Sequence, residues 1–261
     1  MKSVRRTLQQ LQSACRLNPS SGSLHVTVPS SAEALEVSVI YFRAGYTPLD
    51  YQSTSDYEVR FLLEASLAIK CPSIPLQLAG SKKIQEYITQ DNILEQLLTK
   101  AHANSGESFS TDDIALVRET WMPMWSLDRD GGLGAQLARK KYQNLVLKPQ
   151  REGGGNNIYR DQIPRFLDAL PVAEHEAWIA MELIDTPSMS NVMIKGGDSA
   201  GMLSSTVSEL GIYGWSLFGG VSCKVESDVG GWLLRTKAKE SDEGGVAVGI
   251  SVLDSPLLLV K

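Results

Sequence analysis

An apolar run, Leu145-Val146-Leu147, leads straight into ten residues, Lys148 to Asn157, that offer a core nothing but Pro149. The run predicts a buried strand over 144–148 that ends on a lysine. The segment after it reads Lys-Pro-Gln-Arg-Glu-Gly-Gly-Gly-Asn-Asn. Its glycines free the backbone for positive φ and for close approach to a ligand. Successive backbone N–H groups beside a lysine suit a polyphosphate. Glu152 adds a hard oxygen ligand for the magnesium that accompanies a nucleotide. No Gly-Lys-Ser/Thr follows, so this is not a Walker loop, and the spacing does not fit Gly-x-Gly-x-x-Gly. Three bare glycines also fit a flexible connection. Lys148, Glu152 and the Asn156-Asn157 pair are what favour phosphate.

The chain has 261 residues, 43% of them hydrophobic, which allows one large or two small domains with a real core. A net charge of −5 argues against a nucleic-acid surface. No apolar run approaches the ~20 residues of a membrane helix, and the N-terminal Met-Lys-Ser-Val-Arg-Arg lacks the apolar core of a secretory signal. Cys15, Cys71 and Cys223 are odd in number and lack metal-ligand spacing, so free thiols and a cytoplasmic setting are expected. His25, His102 and His175 stand singly and read as structural or surface residues.

Periodicity predicts a helix over 3–14, a turn-rich break at Asn18–Ser23, a strand over Leu35–Phe42 and a helix from Asp56 to Lys70 that Pro72 and Pro75 end. A helical block follows over 81–103, then a polar loop at 104–113 and helices at 111–119 and 134–143. Beyond the glycine-rich loop the pattern predicts a helix over 161–170 and a strand over 178–184. Short strands at 191–195, 202–207, 211–218, 221–225 and 231–236 complete it. Helices and strands alternate early and strands cluster late, so an α/β part joined to an α+β part is expected.

Four further segments carry chemistry. Ile179-Ala-Met-Glu-Leu-Ile184 fits a core strand or a hinge whose backbone reads an adenine edge. Arg235 and Lys237 share one face of a strand, where two cations fit either an anion or a solvated surface. Tyr41-Phe-Arg-Ala-Gly-Tyr46 lies past a strong strand, where Arg43 fits a carboxylate or plain solvent. In Leu78-Ala-Gly-Ser-Lys-Lys83 a phosphate site and a simple helix cap explain the residues equally.

Together, Lys-Pro-Gln-Arg-Glu-Gly-Gly-Gly-Asn-Asn-x-Tyr, Ser-Glu-Leu-Gly-Ile-Tyr-Gly, Leu-Leu-Arg-Thr-Lys, Gly-Gly-Val-Ala, Tyr-Phe-Arg-x-Gly-Tyr and Gln-Leu-Ala-Gly-Ser-Lys-Lys resemble eukaryotic-type glutathione synthetase from about Val4 to Asp254. The resemblance implies an ATP-grasp fold with a partial Rossmann-like substrate-binding domain at 1–77 and an ATP-grasp portion at 78–261, its lid at 148–157. It implies a ligase that joins γ-glutamylcysteine to glycine through an acyl phosphate, with ATP as substrate and Mg2+ as cofactor.

Carried over by motif, Lys82 and Lys148 touch ATP phosphates. Pro149, Gln150, Arg151, Glu152, Gly153, Gly154, Gly155, Asn156 and Asn157, with Tyr159, close over the nucleotide, and Glu152 holds magnesium. Met181, Glu182, Leu183 and Ile184 form the adenine hinge, and Glu209, Lys237 and Glu243 face the nucleotide. Arg235, the implied catalytic residue, binds substrate carboxylates and steadies the transferring group. Val246 and Ala247 line the glycine end, and Arg43, Ala44, Gly45 and Tyr46 hold γ-glutamylcysteine.

Three positions depart from the family pattern: Ala44 for a polar residue, Val248 for a small one, and Glu243 for a frequent aspartate. The family's chain is nearly twice as long. The part absent here is expected to hold other metal ligands and much of the dipeptide site. A catalytically impaired segment that binds nucleotide weakly, or serves as a subunit, is the competing expectation. The family is homodimeric, and neither a nucleic acid nor a membrane is an expected partner.

Overall fold

The computed structural model describes residues 2–29, 33–105, 108–128, 132–150, 155–195, 201–219 and 225–258, the side chains of 102–105 excepted. Helix α1 (Leu8–Ala14) starts where Thr7 caps it. The Thr7 hydroxyl accepts from the Gln10 amide, and the Gln10 side chain accepts from the Thr7 amide. This cap sets the start later than the expected residue 3. Strands β1 (Cys15–Leu17) and β2 (Leu24–Val26) then form an antiparallel hairpin. The expected break at Asn18–Ser23 is its turn, in which Asn18 Oδ1 accepts the amides of Ser20 and Ser21.

The strand expected over Leu35–Phe42 is two strands. β3 (Leu35–Glu36) pairs with β2, whereas β4 (Val39–Tyr41) pairs in parallel with a later segment. The hand-over falls between Val37 and Ser38. The Val37 amide donates to the Leu24 carbonyl at 2.8 Å, and the Ser38 carbonyl accepts from Ile69 at 2.9 Å. Helix α2 (Thr54–Ala65) crosses from β4 to its partner β5 (Ile69–Cys71), so the helix expected to reach Lys70 ends before the strand. Cys15, Leu24, Val26, Val59, Leu63 and Ala68 make the core here, with Ile40 and Phe42 packed against it.

Asp56 on α2 is fully shielded from solvent. Its carboxylate accepts the Gln52 and Ser53 amides at 2.9 and 3.2 Å, and the side-chain amides of Gln9 and Gln12 at 3.1 Å each. It thus caps α2 and ties it to α1.

The expected helical block over 81–103 is preceded by a short helix, α3 (Ile74–Ala79), and is itself split in two. Pro75 lies in the first turn of α3 rather than ending a helix, a position where a missing N–H has no consequence. α4 (Lys82–Thr89) and α5 (Ile93–Ser105) are separated at Asn92, whose φ is 62°. After α6 (Thr111–Glu119) come β6 (Met124–Ser126), α7 (Leu133–Lys141), β7 (Leu145–Pro149), β8 (Ile158–Tyr159), α8 (Gln162–Ala169) and β9 (Trp178–Glu182). The strands form an antiparallel sheet in the order β6-β9-β7-β8. α7 and α8 contribute Ala135, Ala138, Ile163 and Leu167 to a core that also holds Leu127, Leu145, Leu147 and Ala180.

The last part is an antiparallel sheet of β10 (Met189–Met193), β11 (Met202–Leu217), β12 (Glu226–Ala238) and β13 (Val252–Asp254) in that order. The strands expected at 202–207 and 211–218 are one strand, because β12 pairs along its whole length with a single irregularity at Tyr213/Gly214. The strand expected over 221–225 lies outside the described residues except for Val225, which is not in a strand.

Two predictions follow from the packing. Burial pushes the Asp56 carboxyl up, but the hydrogen bonds from Gln52, Gln9, Gln12 and Ser53 outweigh it and hold the group below its usual range. Its stabilisation is therefore present above the unfolded carboxyl value, 3.8, and is lost as pH falls through the lower folded value. Thermal melts of wild type and Asp56→Asn should differ most near neutrality and converge in acid; a pH-independent gap would refute this. At Gly134 an added Cβ would lie 1.9 Å from the Ser126 carbonyl oxygen, so α7 and β6 could not keep their spacing. Gly134→Ala should lose about 1–3 kcal/mol in urea unfolding.

Candidate functional site

Strand β7 lies between β9 and β8, and Leu145, Val146 and Leu147 are buried in it. This fixes the next side chain, Lys148, in a half-buried position at the strand's end. Burial, then the nearby Lys82 cation, pull the Lys148 ammonium below the ordinary lysine value, and Glu243 opposes them. Lys82 is the first residue of α4. Its ammonium donates to Gln85 Oε1 at 3.1 Å. Ser81 caps the helix, its hydroxyl accepting from the Ile84 amide, and the preceding amide, that of Lys83, donates to Gln150 Oε1 at 2.9 Å. Two cations and the positive end of a helix thus gather where the glycine-rich loop begins, an arrangement suited to an anion.

The far side of this group comes from β8 and the loop after β12. Asn157 Nδ2 donates to Tyr159 Oη at 3.0 Å and to Glu243 Oε1 at 3.2 Å. Burial raises the Tyr159 phenol above its ordinary value; the hydrogen bond from Asn157 lowers it and the Glu243 charge raises it further. Arg160 and Asp242 form an ion pair next to this cluster. Lys237 Nζ donates to the carbonyls of Ser241, Asp242 and Glu243 at 2.7, 3.1 and 3.3 Å. All three ammonium donors are engaged, so Lys237 shapes the loop that presents Glu243.

Arg235 and Lys237 flank Thr236 in β12, as strand alternation leads one to expect. Arg235 is ion-paired with Glu209, its direct cross-strand partner on β11. Thr236 is buried behind them, where its hydroxyl donates to Asp254 Oδ2 at 2.7 Å; Asn191 donates to the same oxygen at 3.1 Å. β10, β12 and β13 are therefore pinned under Arg235. Val246 and Ala247 lie in a turn closed by the Gly249 amide on the Val246 carbonyl at 3.0 Å, while the Gly245 carbonyl accepts from Ile250 and Ser251.

In the expected hinge, Met181 and Glu182 belong to β9 and Leu183 and Ile184 follow it. The Glu182 amide donates to the Pro123 carbonyl at 3.0 Å and the Leu183 amide to the Asn144 carbonyl at 2.8 Å. Those two N–H groups are occupied by protein, and Ile184 is exposed beyond them.

The loop Arg43, Ala44, Gly45 and Tyr46 follows β4. Gly45 has φ 87°, and its carbonyl accepts from Gln77 Nε2 at 2.9 Å and Tyr51 Oη at 3.2 Å. Arg43 is exposed, and the hydrogen bonds of this loop run to Tyr51 and Gln77 rather than to the Lys148 group. Arg151, Glu152, Gly153 and Gly154 lie outside the described residues. Gly155 is described, with φ 83°.

Sequence reasoning missed the residues that brace Lys82. The Lys83 ammonium donates to Asp128 at 2.7 Å and also contacts Ser126 Oγ. Asp128 is held below the usual carboxylate range by Lys83 first and Ser126 second. Among the described residues no three His, Cys, Asp or Glu side chains cluster to hold a metal, so these residues by themselves make no magnesium cage. No described helix is long and apolar enough to cross a membrane.

Comparison with known proteins bears on this geometry. The family model of the eukaryotic glutathione synthase ATP-binding domain matches residues 2–258. The chain is similar to the chloroplastic glutathione synthetase of Solanum lycopersicum, 39% identical over 98% of this chain and 43% of the relative. It is 36% identical to the glutathione synthetase of Dictyostelium discoideum over 99% of this chain and 52% of the relative. It is 40% identical to that of Mus musculus over 85% and 45%. The chain spans about half the length of the curated relatives it matches. A solved glutathione synthetase-like effector from Globodera pallida, in apo form, superposes with a TM-score of 0.61 at 19% identity, over 98% of this chain and 50% of that one. The fold is thus a mixed α+β one of the ATP-grasp type, and the chain belongs to the eukaryotic glutathione synthase ATP-binding domain family.

Proposed function

We propose that this chain supplies the nucleotide-binding part of an ATP-dependent ligase that joins γ-glutamylcysteine to glycine, giving glutathione, ADP and phosphate. The observation that carries this reading is the pairing of Lys82 and Lys148 at the start of α4, where the glycine-rich loop leaves β7. Like charges held together in a half-buried place favour a polyanion between them. In this reading both lysines and the α4 N-terminus take ATP phosphates. Asn157, Tyr159 and Glu243 border the nucleotide, and its adenine edge meets the backbone near Ile184. Arg235 exchanges Glu209 for a substrate carboxylate. The γ-phosphoryl passes to the cysteine carboxylate, and the glycine amine attacks the acyl phosphate and expels phosphate. Lys237 faces the nucleotide from β12, Val246 and Ala247 stand on the following loop at the acceptor end, and Arg43 to Tyr46 take the dipeptide.

Magnesium arrives with the nucleotide, charge-neutralising its phosphates, and Glu152 is the residue of this chain assigned to it. Two separate cores, one within residues 15–68 and the other within 127–180, support a division of the chain between them, for which a boundary near residue 77 is proposed. A cytoplasmic setting suits the free thiols of Cys15 and Cys71, and homodimerisation is the assembly expected of the ligase. A second reading, a nucleotide-binding segment that does not turn over alone, is favoured by the chain's half-length match to its relatives.

Calorimetric titration with ATP tests the site. Lys148→Ala should weaken binding by about 10- to 100-fold, the range of a lost charge-assisted hydrogen bond; unchanged affinity refutes the assignment. The lowered pKa of Lys148 means that it loses its proton before an ordinary lysine, whose value is 10.5. Wild-type affinity should therefore decline on the alkaline side at a pH below that value, and Lys148→Ala should lack this decline. Phosphate release dependent on both γ-glutamylcysteine and glycine separates the two readings: turnover by the chain alone favours the complete ligase, and its absence with ATP binding intact favours the second.

A further inference from the structure

Gln150 is the last described residue before the glycines of the loop, and its side chain reaches helix α4. Its Oε1 accepts from the Lys83 amide at 2.9 Å across 67 residues of sequence. That amide belongs to the first turn of α4, where N–H groups have no partner within the helix. Lys83 is held a second time through its ammonium, by Asp128 at 2.7 Å. Both contacts hold the residue immediately after Lys82. Gln150 Nε2 is buried and has no hydrogen-bond partner among the described residues. Among the described residues this buried amide has only one half satisfied, an unusual element to keep beside two cations.

We propose that Gln150 is a positioning residue that ties the start of the glycine-rich loop to helix α4, so that Lys82 and Lys148 are set as one unit. This rests on reading the site as nucleotide-binding. Gln150 acts on the nucleotide through Lys82: when its Oε1 releases the Lys83 amide, the first turn of α4 loosens and Lys82 loses its registration against Lys148.

The test combines two readouts on the 261-residue chain. The first is hydrogen exchange of the Lys83 amide followed by NMR. Gln150→Met, similar in size but unable to accept, should speed that exchange at least about fivefold, the equivalent of one net hydrogen bond. Gln150→Glu, which keeps the acceptor, should restore protection while removing the bare Nε2 donor. The second readout is a double-mutant cycle on ATP affinity. Gln150→Met should weaken ATP about five- to tenfold in the wild-type background and less than about twofold in Lys82→Ala. Unchanged Lys83 exchange in Gln150→Met overturns the proposal, as does an equal loss of affinity in both backgrounds. If the wild-type chain binds no ATP, the nucleotide reading fails instead, and the exchange comparison still decides whether Gln150 holds α4. Thermal melts of both Gln150 variants show whether the fold is intact, and the Glu variant keeps the test usable if the Met variant is unstable.

Discussion

A half-buried lysine beside a second lysine is the constraint around which this molecule is arranged. Lys148 gives up hydration where it sits and faces the Lys82 cation as well. Neither charge can withdraw. Lys148 follows directly on three buried residues of β7, and Lys82 begins a helix whose next residue is held by Gln150 and Asp128. Glu243 returns part of the lost stabilisation, but it shares its carboxylate with Asn157. The arrangement is poor for the isolated protein and good for a bound polyanion. Functional sites concentrate such perturbed groups for this reason.

The same constraint explains why so much structure is devoted to three short segments. Residues 82–83, the described parts of 148–159, and residues 237–243 are far apart in sequence and each is stapled to another element. Lys237 folds the loop that carries Glu243 onto β12 by taking three carbonyls. The Arg160–Asp242 ion pair joins that loop to the end of β8. Buried Thr236 and half-buried Asp254 lock β12 to β13 behind Arg235 and Lys237. Such pins are individually weak, but together they remove the alternatives that would let the like charges drift apart.

What the sequence disclosed follows from which forces are local. The β7 strand and its glycine-rich exit were legible because three apolar residues and three glycines are adjacent. The alternation that puts Arg235 and Lys237 together needs only strand period. The Leu35–Phe42 run misled because its pattern continues while its partners change, from Leu24 to Ile69, at Val37–Ser38. β5 was hidden inside a helical period because three residues before Pro72 carry too little signal against a parallel partner 30 residues away. The bracing of Lys82 by Gln150, Lys83 and Asp128 was invisible for the same reason. Each of those residues is an ordinary polar side chain, and only the fold shows that they meet.

The two cores are not equally enclosed, and this bears on what each half can do. The sheet of β7 and β9 is packed by α7 and α8, and Leu145, Leu147, Ile163 and Ala180 are essentially sealed. The parallel pair β4–β5 has one face on α2, while Val39, Tyr41 and Ile69 on the other are 55%, 64% and 45% exposed. Parallel sheets are ordinarily covered on both faces, and a two-stranded sheet has little stability of its own. The proposed phosphate contacts therefore stand on the well-enclosed core, while the loop proposed to take the dipeptide, Arg43–Tyr46, stands on the bare one. Gln77 and Tyr51 hold Gly45, but the strand that delivers this loop has solvent where a second layer belongs. Under the proposed function, affinity for nucleotide and affinity for dipeptide should thus be separable, because the two loops depend on different cores.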